Sequence, residues 1–340
     1  MAVLTEKTTS KVDHEPKVLL ELKGIKKYFP IKGGILKRKQ GDVKAVENVS
    51  LQLFEGESLG VVGESGCGKS TLGRAILGLE ELTEGQIFFQ EKEIQDLKRK
   101  EKLKFVKQMQ MIFQDPFASL NPRQRIGHAL EEVFTMHTDM SAKEKRQAVI
   151  SLLEEVGLKE EHFEKYPHEF SGGQRQRIGI ARAIALNPSF VICDEAVSAL
   201  DVSVQAQVLK LLKSLQQKYQ LSYLFISHDL GVVRYFCDRV LVMYLGNTVE
   251  LGTVKDLFAT PLHPYTQALL SAIPRPTVRA NHKRIRLQGD LPNPANPPSG
   301  CPFHTRCPIA TEKCSAEKPA WVEYEPNHFA ACHYAGQPIG

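Results

Sequence analysis

The chain has 340 residues, of which 42% are hydrophobic and 24% are charged, with a formal net charge of +5. This composition is ordinary for a globular protein, and the length allows one large domain with an appendage or two modest domains. The net charge is too small for this length to indicate a nucleic-acid or lipid surface. No apolar run approaches the roughly 18 residues that a bilayer-spanning helix needs, so no membrane segment is predicted.

Residues 1–17, at the N-terminus, carry charges throughout and contain no apolar core. They are predicted to form a flexible tail and not a signal peptide, so we expect a cytosolic chain that reaches a membrane only through partners. In that reducing compartment, clustered cysteines serve metal binding or catalysis more often than disulfides.

Short apolar strands follow the tail, and the basic segment 31–42 among them is predicted to be a solvated hairpin extension. The sequence "ESLGVVG" at 57–63 is typical of a buried strand. A helical region then runs over about 124–186, in which Ser141 and Glu144 have the spacing of a capping box.

Strands return at 189–195 and 222–229, with the helix 202–219 between them. Strands that alternate with helices predict an α/β fold with a largely parallel sheet and crossover connections. After about residue 273 the chain becomes rich in proline, glycine and charge, which indicates a linker (274–300) into a small terminal unit.

The sequence "GESGCGKS" at 63–70 follows one predicted strand and precedes a helix. It fits the pattern G-x-x-x-x-G-K-[ST], in which the glycines let backbone N–H groups turn toward phosphate oxygens. The lysine places its charge between the β- and γ-phosphates, and the serine hydroxyl can ligate Mg²⁺. The predicted nucleotide-binding residues here are Gly63, Glu64, Ser65, Gly66, Cys67, Gly68, Lys69, Ser70 and Thr71.

Asp194 and Glu195 end the apolar run "FVICDE" on a second predicted strand. Asp194 is placed to hold Mg²⁺, usually through water, and Glu195 can orient and deprotonate the attacking water as a general base. The phosphate loop alone would also suit a kinase, a GTPase or a helicase. The segment between the two strands decides among these classes.

That segment contains "FSGGQRQR" at 170–177, which resembles the signature LSGGQ of the ATP-binding-cassette (ABC) family, with Phe in place of the first Leu. "MIFQDP", "SALD" and "FISHD" stand where the family has its Q-loop, D-loop and switch histidine. The resemblance covers about residues 18–260. It implies contacts with ATP for Gln114, Ser171, Gly172, Gly173, Gln174, Asp201 and His228, with Phe29 or the adjacent Tyr28 stacking on adenine.

The resemblance also implies a RecA-like P-loop core over 18–262, with a helical subdomain over about 118–184 and a Cys-rich C-terminal extension over 263–340. In the family, two cassettes pair head to tail, so that the signature of one covers the γ-phosphate held by the other. The residues expected to hold Mg²⁺ are Ser70, Gln114 and Asp194. The residues expected to carry out hydrolysis of ATP are Lys69, Gln114, Glu195 and His228.

Within this family, exporters usually carry membrane helices, ribosome-associated members two cassettes, and DNA-repair members long insertions. The sequence has none of these features, which leaves a stand-alone importer subunit. "HEFSGGQRQRIGIARAIALNP" and "HPYTQALLSAIPRP" (263–276) are similar to the ATPase subunits of oligopeptide and dipeptide importers. Importers of nickel, glutathione and other small solutes share these segments. A soluble ATPase acting on nucleic acid or ribosomes is the competing interpretation.

The narrower resemblance implies a heterodimer with a paralogous ATPase at the cytoplasmic face of the cell membrane. It also implies two membrane permeases and an extracytoplasmic solute-binding protein as partners, and no nucleic acid. ATP and Mg²⁺ are the cofactors expected at the nucleotide site.

Four of the seven cysteines lie in the last forty residues, at Cys301, Cys307, Cys314 and Cys332. Their spacing, C-x₅-C-x₆-C-x₁₇-C, lacks the C-x₂-C pairs common in zinc sites, but four thiolates suit either tetrahedral zinc or an iron–sulfur cluster. The similar C-terminal motif of the peptide importers favours a 4Fe–4S cluster. Zinc is the alternative, and cysteines without a bound group are the third interpretation. The nearby His304, His328 and His333 could substitute as ligands. Core packing is expected for Cys67, Cys193 and Cys237.

Overall fold

The structure is a computed structural model that describes residues 17–33, 38–95, 97, 99–115, 119–273 and 285–339. Most of the predicted N-terminal tail, residues 1–16, lies outside the described residues, as does the first part of the predicted linker, 274–284. None of the helices in the described ranges is both long and apolar enough to cross a membrane.

Strands and helices alternate along most of the described chain. The strands are β1 (Val18–Gly33), β2 (Arg38–Phe54), β3 (Ser58–Val62), β4 (Glu84–Phe89), β5 (Lys92–Glu93), β6 (Met109–Ile112), β7 (Phe190–Asp194), β8 (Ser222–Ile226), β9 (Arg239–Tyr244), β10 (Asn247–Thr253), β11 (Val322–Glu325) and β12 (His328–Ala330). The α-helices are α1 (Lys69–Ile76), α2 (Arg99–Gln108), α3 (Ile126–His137), α4 (Ala142–Glu155), α5 (Gly172–Ile184), α6 (Val202–Tyr219), α7 (Leu230–Phe236), α8 (Val254–Ala259), α9 (Pro264–Ser271) and α10 (Glu312–Ala316).

The strands form two sheets. The larger sheet has a parallel centre in the order β9-β3-β8-β7-β6, and the antiparallel strands β10, β12 and β11 extend it beyond β9. The smaller sheet is antiparallel throughout, in the order β2-β1-β4-β5. The predicted parallel sheet is therefore confirmed for the five central strands. The smaller sheet differs because β1 and β2 are joined by a short connection, which permits only antiparallel pairing.

The predicted elements correspond closely to observed ones. The three apolar runs predicted as strands are β3, β7 and β8, and each is buried along its whole length. The helix predicted over 202–219 is α6, with the same bounds. The capping box is also present: Ser141 Oγ accepts the Glu144 N–H, and the Glu144 carboxylate accepts the Ser141 N–H at 2.7 Å.

Helices α3, α4 and α5 pack together where the helical subdomain is predicted. Their shared interior contains Leu130, Phe134, Val149 and Leu153, all buried. The spacing of Val149 and Leu153 on α4 is the apolar face that the sequence pattern predicts. This helical layer adjoins β6 through α5, so it is attached at the β6 end of the sheet.

The C-terminal region is joined to the main sheet. Strand β12 pairs with β10, and the buried residues Cys301, Phe303 and Cys314 belong to the main hydrophobic core. The sequence predicts a small terminal unit after the linker, and the structure shows that this unit packs on the main core. Residues 285–300, the described part of the predicted linker, contain no helix or strand.

Candidate nucleotide-binding site

The candidate site lies at one edge of the main sheet. The carboxyl ends of neighbouring parallel strands meet at the same edge, so residues that follow them are brought together. The phosphate loop 63–70 follows β3, His228 follows β8, Glu195 follows β7 and Gln114 follows β6. These strands are consecutive in the sheet order β3-β8-β7-β6. Residues from four distant parts of the sequence therefore line a single edge.

The phosphate loop requires glycine at Gly68, where α1 begins. Gly68 has a φ of 103°, and a Cβ there would lie 2.0 Å from the carbonyl oxygen of Ala45. Lys69 Nζ donates hydrogen bonds to the carbonyl oxygens of Gly63 (2.8 Å) and Glu64 (2.9 Å), which holds the ammonium group across the loop. Cys67 is buried in the loop, which agrees with its predicted packing role.

Ser70 and Asp194, which the sequence assigns to Mg²⁺, are in direct contact. Ser70 Oγ donates to Asp194 Oδ1 at 2.7 Å. Asp194 is buried, and burial raises the pKa of its carboxyl group, while the hydrogen bond from Ser70 opposes that rise. A hydroxyl and a carboxylate side by side are oxygen ligands of the kind that Mg²⁺ takes in nucleotide sites. The pair therefore fits the predicted metal.

Gln114 and His228 meet at the carboxylate of Glu195. Gln114 Nε2 donates to Glu195 Oε2 at 2.9 Å, and His228 Nδ1 lies 3.3 Å from the same oxygen. The backbone of Glu195 has a φ of 47°, a left-handed conformation that is unfavourable for a residue with a side chain. Three of the residues predicted to carry out hydrolysis are thus assembled around one oxygen atom.

The signature residues form the start of helix α5. Ser171 Oγ accepts the Gln174 N–H, and Gln174 Oε1 accepts the Ser171 N–H at 3.0 Å, so the two residues form a capping box. Ser171 and Gly172 are exposed, whereas Gly173 is buried against Val204 of α6. The helix N-terminus presents its free N–H groups at the surface, which is the arrangement that binds phosphate.

Asp201 and the two candidate adenine-stacking residues have clear structural partners. Asp201 begins α6, and its Oδ1 accepts the N–H groups of Ser203 and Val204. Tyr28 donates from its hydroxyl to Glu47 at 2.8 Å, and Phe29 lies beneath the ammonium group of Lys27. Contact of these three residues with a nucleotide stays a prediction.

Comparison with known proteins decides the family. Residues 46–198 match the ABC transporter family, and residues 249–314 match the C-terminal region of oligopeptide/dipeptide transporters. The chain is 55% identical to the oligopeptide transport ATP-binding protein AppF of Bacillus subtilis, covering 93% of this chain and 97% of AppF. The chain belongs to the ABC transporter family. It is an ABC-type ATPase, and ATP with Mg²⁺ is the pair of cofactors that this family uses.

Further relatives agree with this assignment. The cassette is 52% identical to the oligopeptide transport ATP-binding protein OppF of Escherichia coli, covering 93% of this chain and 96% of OppF. It is 50% identical to the dipeptide transport ATP-binding protein DppF of Haemophilus influenzae, with the same coverages. The solved dimeric cassette MJ0796, bound to ADP and Pi, is 28% identical and has a TM-score of 0.62 over 69% of this chain and 99% of that one.

Sequence reasoning missed two residues of the C-terminal region that contact the phosphate loop. The Glu64 N–H donates to the hydroxyl oxygen of Tyr265 at 2.8 Å, and the Glu64 carboxylate is paired with Arg306. Tyr265 stands in the "HPY" segment that marks the C-terminal region, and Arg306 stands between two of the clustered cysteines. Both segments are recognisable in the sequence, but the sequence pattern does not indicate contact with residue 64.

The C-terminal cysteines lie near one another without forming a closed ligand set. The pKa of Cys332 is raised to about 12, mainly by burial and to a smaller extent by the neighbouring Cys301, Cys307 and Cys314. All four thiols are free, and in the part of the cassette that the structure describes no three His, Cys, Asp or Glu side chains are arranged to hold a metal ion. Among the candidate substitute ligands, His328 is instead bonded to Glu250.

Proposed function

We propose that this chain is the ATP-hydrolysing subunit of an importer that takes up oligopeptides or dipeptides. The match of residues 249–314 to the oligopeptide/dipeptide transporter C-terminal region carries this proposal, because that region distinguishes the chain from ABC cassettes in general. The names of relatives that share half or more of its residues support the same substrate class.

The site residues have separate roles in the proposed reaction. Lys69 and the N–H groups of the phosphate loop bind the β- and γ-phosphates. Ser70 and Asp194 would hold Mg²⁺, which would neutralise charge on the same phosphates. Glu195 accepts a proton from the attacking water. Gln114 and His228, both in contact with the Glu195 carboxylate, orient that oxygen toward the γ-phosphate.

We infer that hydrolysis takes place in a head-to-tail pair of cassettes, of which the second is a paralogous ATPase. The exposed start of α5 at Ser171 and Gly172 supports this, because a surface helix N-terminus suits phosphate held by another subunit. The cassette MJ0796, which this chain resembles in fold, is described as a dimer with ADP and Pi bound. Asp201, exposed at the start of α6, is expected at the same interface.

A groove on the cassette supports docking on membrane permeases. It has a volume of about 1080 Å³ and lies between the end of α1, strand β6 and helices α2 and α3. The apolar side chains of Leu79, Phe113 and Met136 line it and are exposed, Met136 to 66%. Exposed apolar surface of this kind marks interaction sites. Gln114 also lines the groove and bonds to Glu195, so a permease helix seated there would be coupled to the catalytic carboxylate.

These interactions define the proposed assembly. Two membrane permeases receive solute from an extracytoplasmic solute-binding protein, and the two ATPases sit on the permeases at the cytoplasmic face of the membrane. Neither nucleic acid nor ribosomes are expected as partners. Importers of nickel or glutathione remain the alternative, because the nucleotide site does not depend on the solute.

Uptake by intact cells tests the proposal. Cells that lack this chain are supplied with the wild type or with Glu195→Gln, and the entry of a radiolabelled tetrapeptide is measured. The variant is expected to bind ATP but to reduce turnover by roughly 10² to 10³, as loss of a general base does, and to abolish peptide uptake. Loss of nickel or glutathione uptake with peptide uptake intact would replace the proposed substrate, and wild-type turnover would overturn the role of Glu195.

The same cells test the groove. Met136→Glu places a charge in the apolar groove and is expected to reduce peptide uptake strongly, because a permease helix would have to bury that charge. Tyr235→Glu is the matched control, since Tyr235 is also an exposed large side chain but lies on α7, outside the groove. Equal uptake by the two variants would contradict docking in the groove.

We also propose that the four C-terminal cysteines hold a 4Fe–4S cluster, with zinc as the alternative. A backbone N–H group supports this by donating to one of the sulfurs: that of Tyr334 donates to Cys332 Sγ at 3.4 Å. Such bonds stabilise thiolates that bind metal. Binding would draw the four sulfurs together and displace the protons that they retain without metal.

Anaerobic purification of the full chain tests this. Iron, together with a broad absorption near roughly 400 nm, is expected in the wild type and is lost in Cys314→Ser. The control Cys237→Ser, which alters a core cysteine away from the cluster, should keep both signals. One zinc per chain without iron would establish the alternative, and the absence of both metals would overturn the proposal.

A further inference from the structure

The phosphate loop is joined to the C-terminal region by a two-pronged ion pair. Arg306 Nη1 lies 2.7 Å from Glu64 Oε2, and Arg306 Nη2 lies 3.1 Å from Glu64 Oε1. The Arg306 side chain is only 9% exposed, so the pair is shielded on the arginine side. Paired N–H···O bonds between guanidinium and carboxylate fix the orientation of both groups. The Glu64 side chain is therefore held in one direction.

A second contact fixes the backbone of the same residue. The Glu64 N–H donates to the hydroxyl oxygen of Tyr265 at 2.8 Å, and Tyr265 is buried. Its ring packs against Tyr244 and Phe303, with ring centres 4.8 and 5.4 Å away. Phe303 lies three residues before Arg306, so the aromatic packing and the ion pair belong to the same contact between the C-terminal region and the loop.

The direction of the Glu64 side chain matters for charge. Glu64 lies inside a loop whose glycines and lysine serve to bind a triphosphate, and a free carboxylate there would repel the phosphates. Arg306 compensates that charge, and its guanidinium is itself held near the Tyr244 hydroxyl, to which Nη1 donates at 3.5 Å. Removal of Arg306 leaves the Glu64 carboxylate without its paired cation beside the phosphate site.

We propose that Arg306 is a positioning residue for ATP binding: by pairing with Glu64 it keeps the phosphate loop receptive to the triphosphate, so that the C-terminal region controls nucleotide affinity. The proposal requires only ATP binding, which the family assignment establishes. It goes beyond peptide import and beyond the cysteine site, because it assigns a role to a residue between the cysteines that is not itself a ligand.

Nucleotide binding by the full chain tests the role of Arg306. A fluorescent ATP analogue is titrated without hydrolysis, and KM and kcat are measured with ATP. Arg306→Met is expected to raise the dissociation constant and KM about tenfold and to change kcat less than twofold, since the lost interaction favours ground state and transition state equally. Arg306→Lys, which keeps the charge but not the fork, should fall between wild type and Arg306→Met.

Arg146→Met is the matched control. Arg146 also pairs with a glutamate, Glu164, but on the helical subdomain, and both partners are about half exposed. Its removal should leave the dissociation constant unchanged. An equal loss of affinity in Arg146→Met would show a general effect of removing an arginine and would overturn the proposal.

A double variant separates charge compensation from simple loss of structure. Glu64→Gln removes the carboxylate that needs compensation, so Glu64→Gln with Arg306→Met should bind the analogue several-fold more tightly than Arg306→Met alone. If Arg306 served only to hold the fold together, the second substitution would weaken binding further. Unchanged affinity in Arg306→Met, or multiplied losses in the double variant, would each overturn the proposal. Arg306→Lys provides the comparison if Arg306→Met yields no folded protein.

Discussion

The two signature glycines meet different requirements, although they are adjacent in the sequence. A Cβ on Gly173 would lie 2.4 Å from Cγ1 of Val204, well inside contact distance, whereas a Cβ on Gly172 would lie 3.8 Å from Leu200. Gly173 therefore lets α5 approach α6 closely. Gly172 has no side chain that would cover the exposed N-terminus of α5. Gly173 is therefore required for helix packing, and Gly172 for access to the N-terminus of α5.

The stability of single alanine variants checks this difference. Gly173→Ala is expected to lower the free energy of unfolding by about 1–3 kcal/mol, because the added methyl group overpacks the contact between the helices. Gly172→Ala is the control and should unfold at nearly the wild-type urea concentration. Val204→Ala combined with Gly173→Ala should regain part of the loss. Equal destabilisation by the two single variants would contradict the packing role.

At the scale of single residues, the sequence identifies functional residues that lie within one continuous motif. Lys69 and Ser70 are recognisable because the phosphate loop is continuous, and Asp194 and Glu195 because they end an apolar strand. Arg306 is not recognisable in this way, because its partner Glu64 is 242 positions away. Neither Arg306 nor Glu64 lies in a sequence motif that indicates contact with the other residue. Only the packing of the C-terminal region against β9 brings them together.

The "HPY" segment forms the N-terminal cap and first turn of helix α9. His263 precedes the helix, and its Nδ1 accepts the Tyr265 N–H at 3.0 Å, while Pro264 occupies the first helical position, where no N–H is needed. The cap fixes the direction of the first turn. That turn in turn places the Tyr265 hydroxyl against the phosphate loop. The histidine and the proline therefore position the tyrosine.

The cap makes stability dependent on pH. Burial lowers the pKa of His263 to about 3, well below the value of about 6.5 in an unfolded chain. The unfolded chain therefore binds the extra proton between these values, and stability falls as the pH drops below about 6.5. Linkage gives a loss of about 2 kcal/mol between pH 7 and pH 5 from this group.

His263→Asn isolates this contribution to the pH dependence. Asn keeps an acceptor for the Tyr265 N–H but does not titrate, so the unfolding free energy of the variant should fall about 2 kcal/mol less than that of the wild type between pH 7 and pH 5. Urea denaturation at each pH measures both. The remaining ionisable groups are the same in both proteins and cancel in the difference. Parallel curves for the two proteins would contradict a buried, neutral His263.

Elements with strong local signals are predictable in this chain. Helix α6 has predicted bounds because Asp201 caps it and apolar residues recur on one face. The antiparallel β1–β2 pair is harder to recognise, because its register contains several irregularities that interrupt strict alternation. The place of β12 beside β10 in the main sheet is set by pairing with a strand about 80 positions earlier, which local pattern does not reveal.

At the scale of the whole molecule, a buried carboxylate joins the C-terminal region to the cassette. Glu250 lies on β10 and is fully buried. Its two oxygens accept the N–H groups of Leu262 and His263, at 2.9 and 2.8 Å, and Oε1 also meets Nε2 of His328 at 2.8 Å. One side chain thus connects the main sheet, the start of α9 and the C-terminal strand β12. The regions before and after residue 249 are expected to unfold together.

The variant Glu250→Ala tests whether the two regions unfold together. The variant leaves two buried N–H groups and a buried histidine without their acceptor, so the free energy of unfolding should fall by about 3–5 kcal/mol. The whole cassette should unfold in one transition at lower urea, with the fluorescence of Trp321, beside the C-terminal strands, and the far-ultraviolet dichroism changing together. Glu55→Ala is the control, since Glu55 pairs with Lys17 at the surface and its loss should have no measurable effect. The contrary result would be an early transition in Trp321 fluorescence alone, with the remaining helices and strands unfolding as in the wild type. It would show that the C-terminal region is an independent unit. Such a unit could not hold the phosphate loop through Arg306.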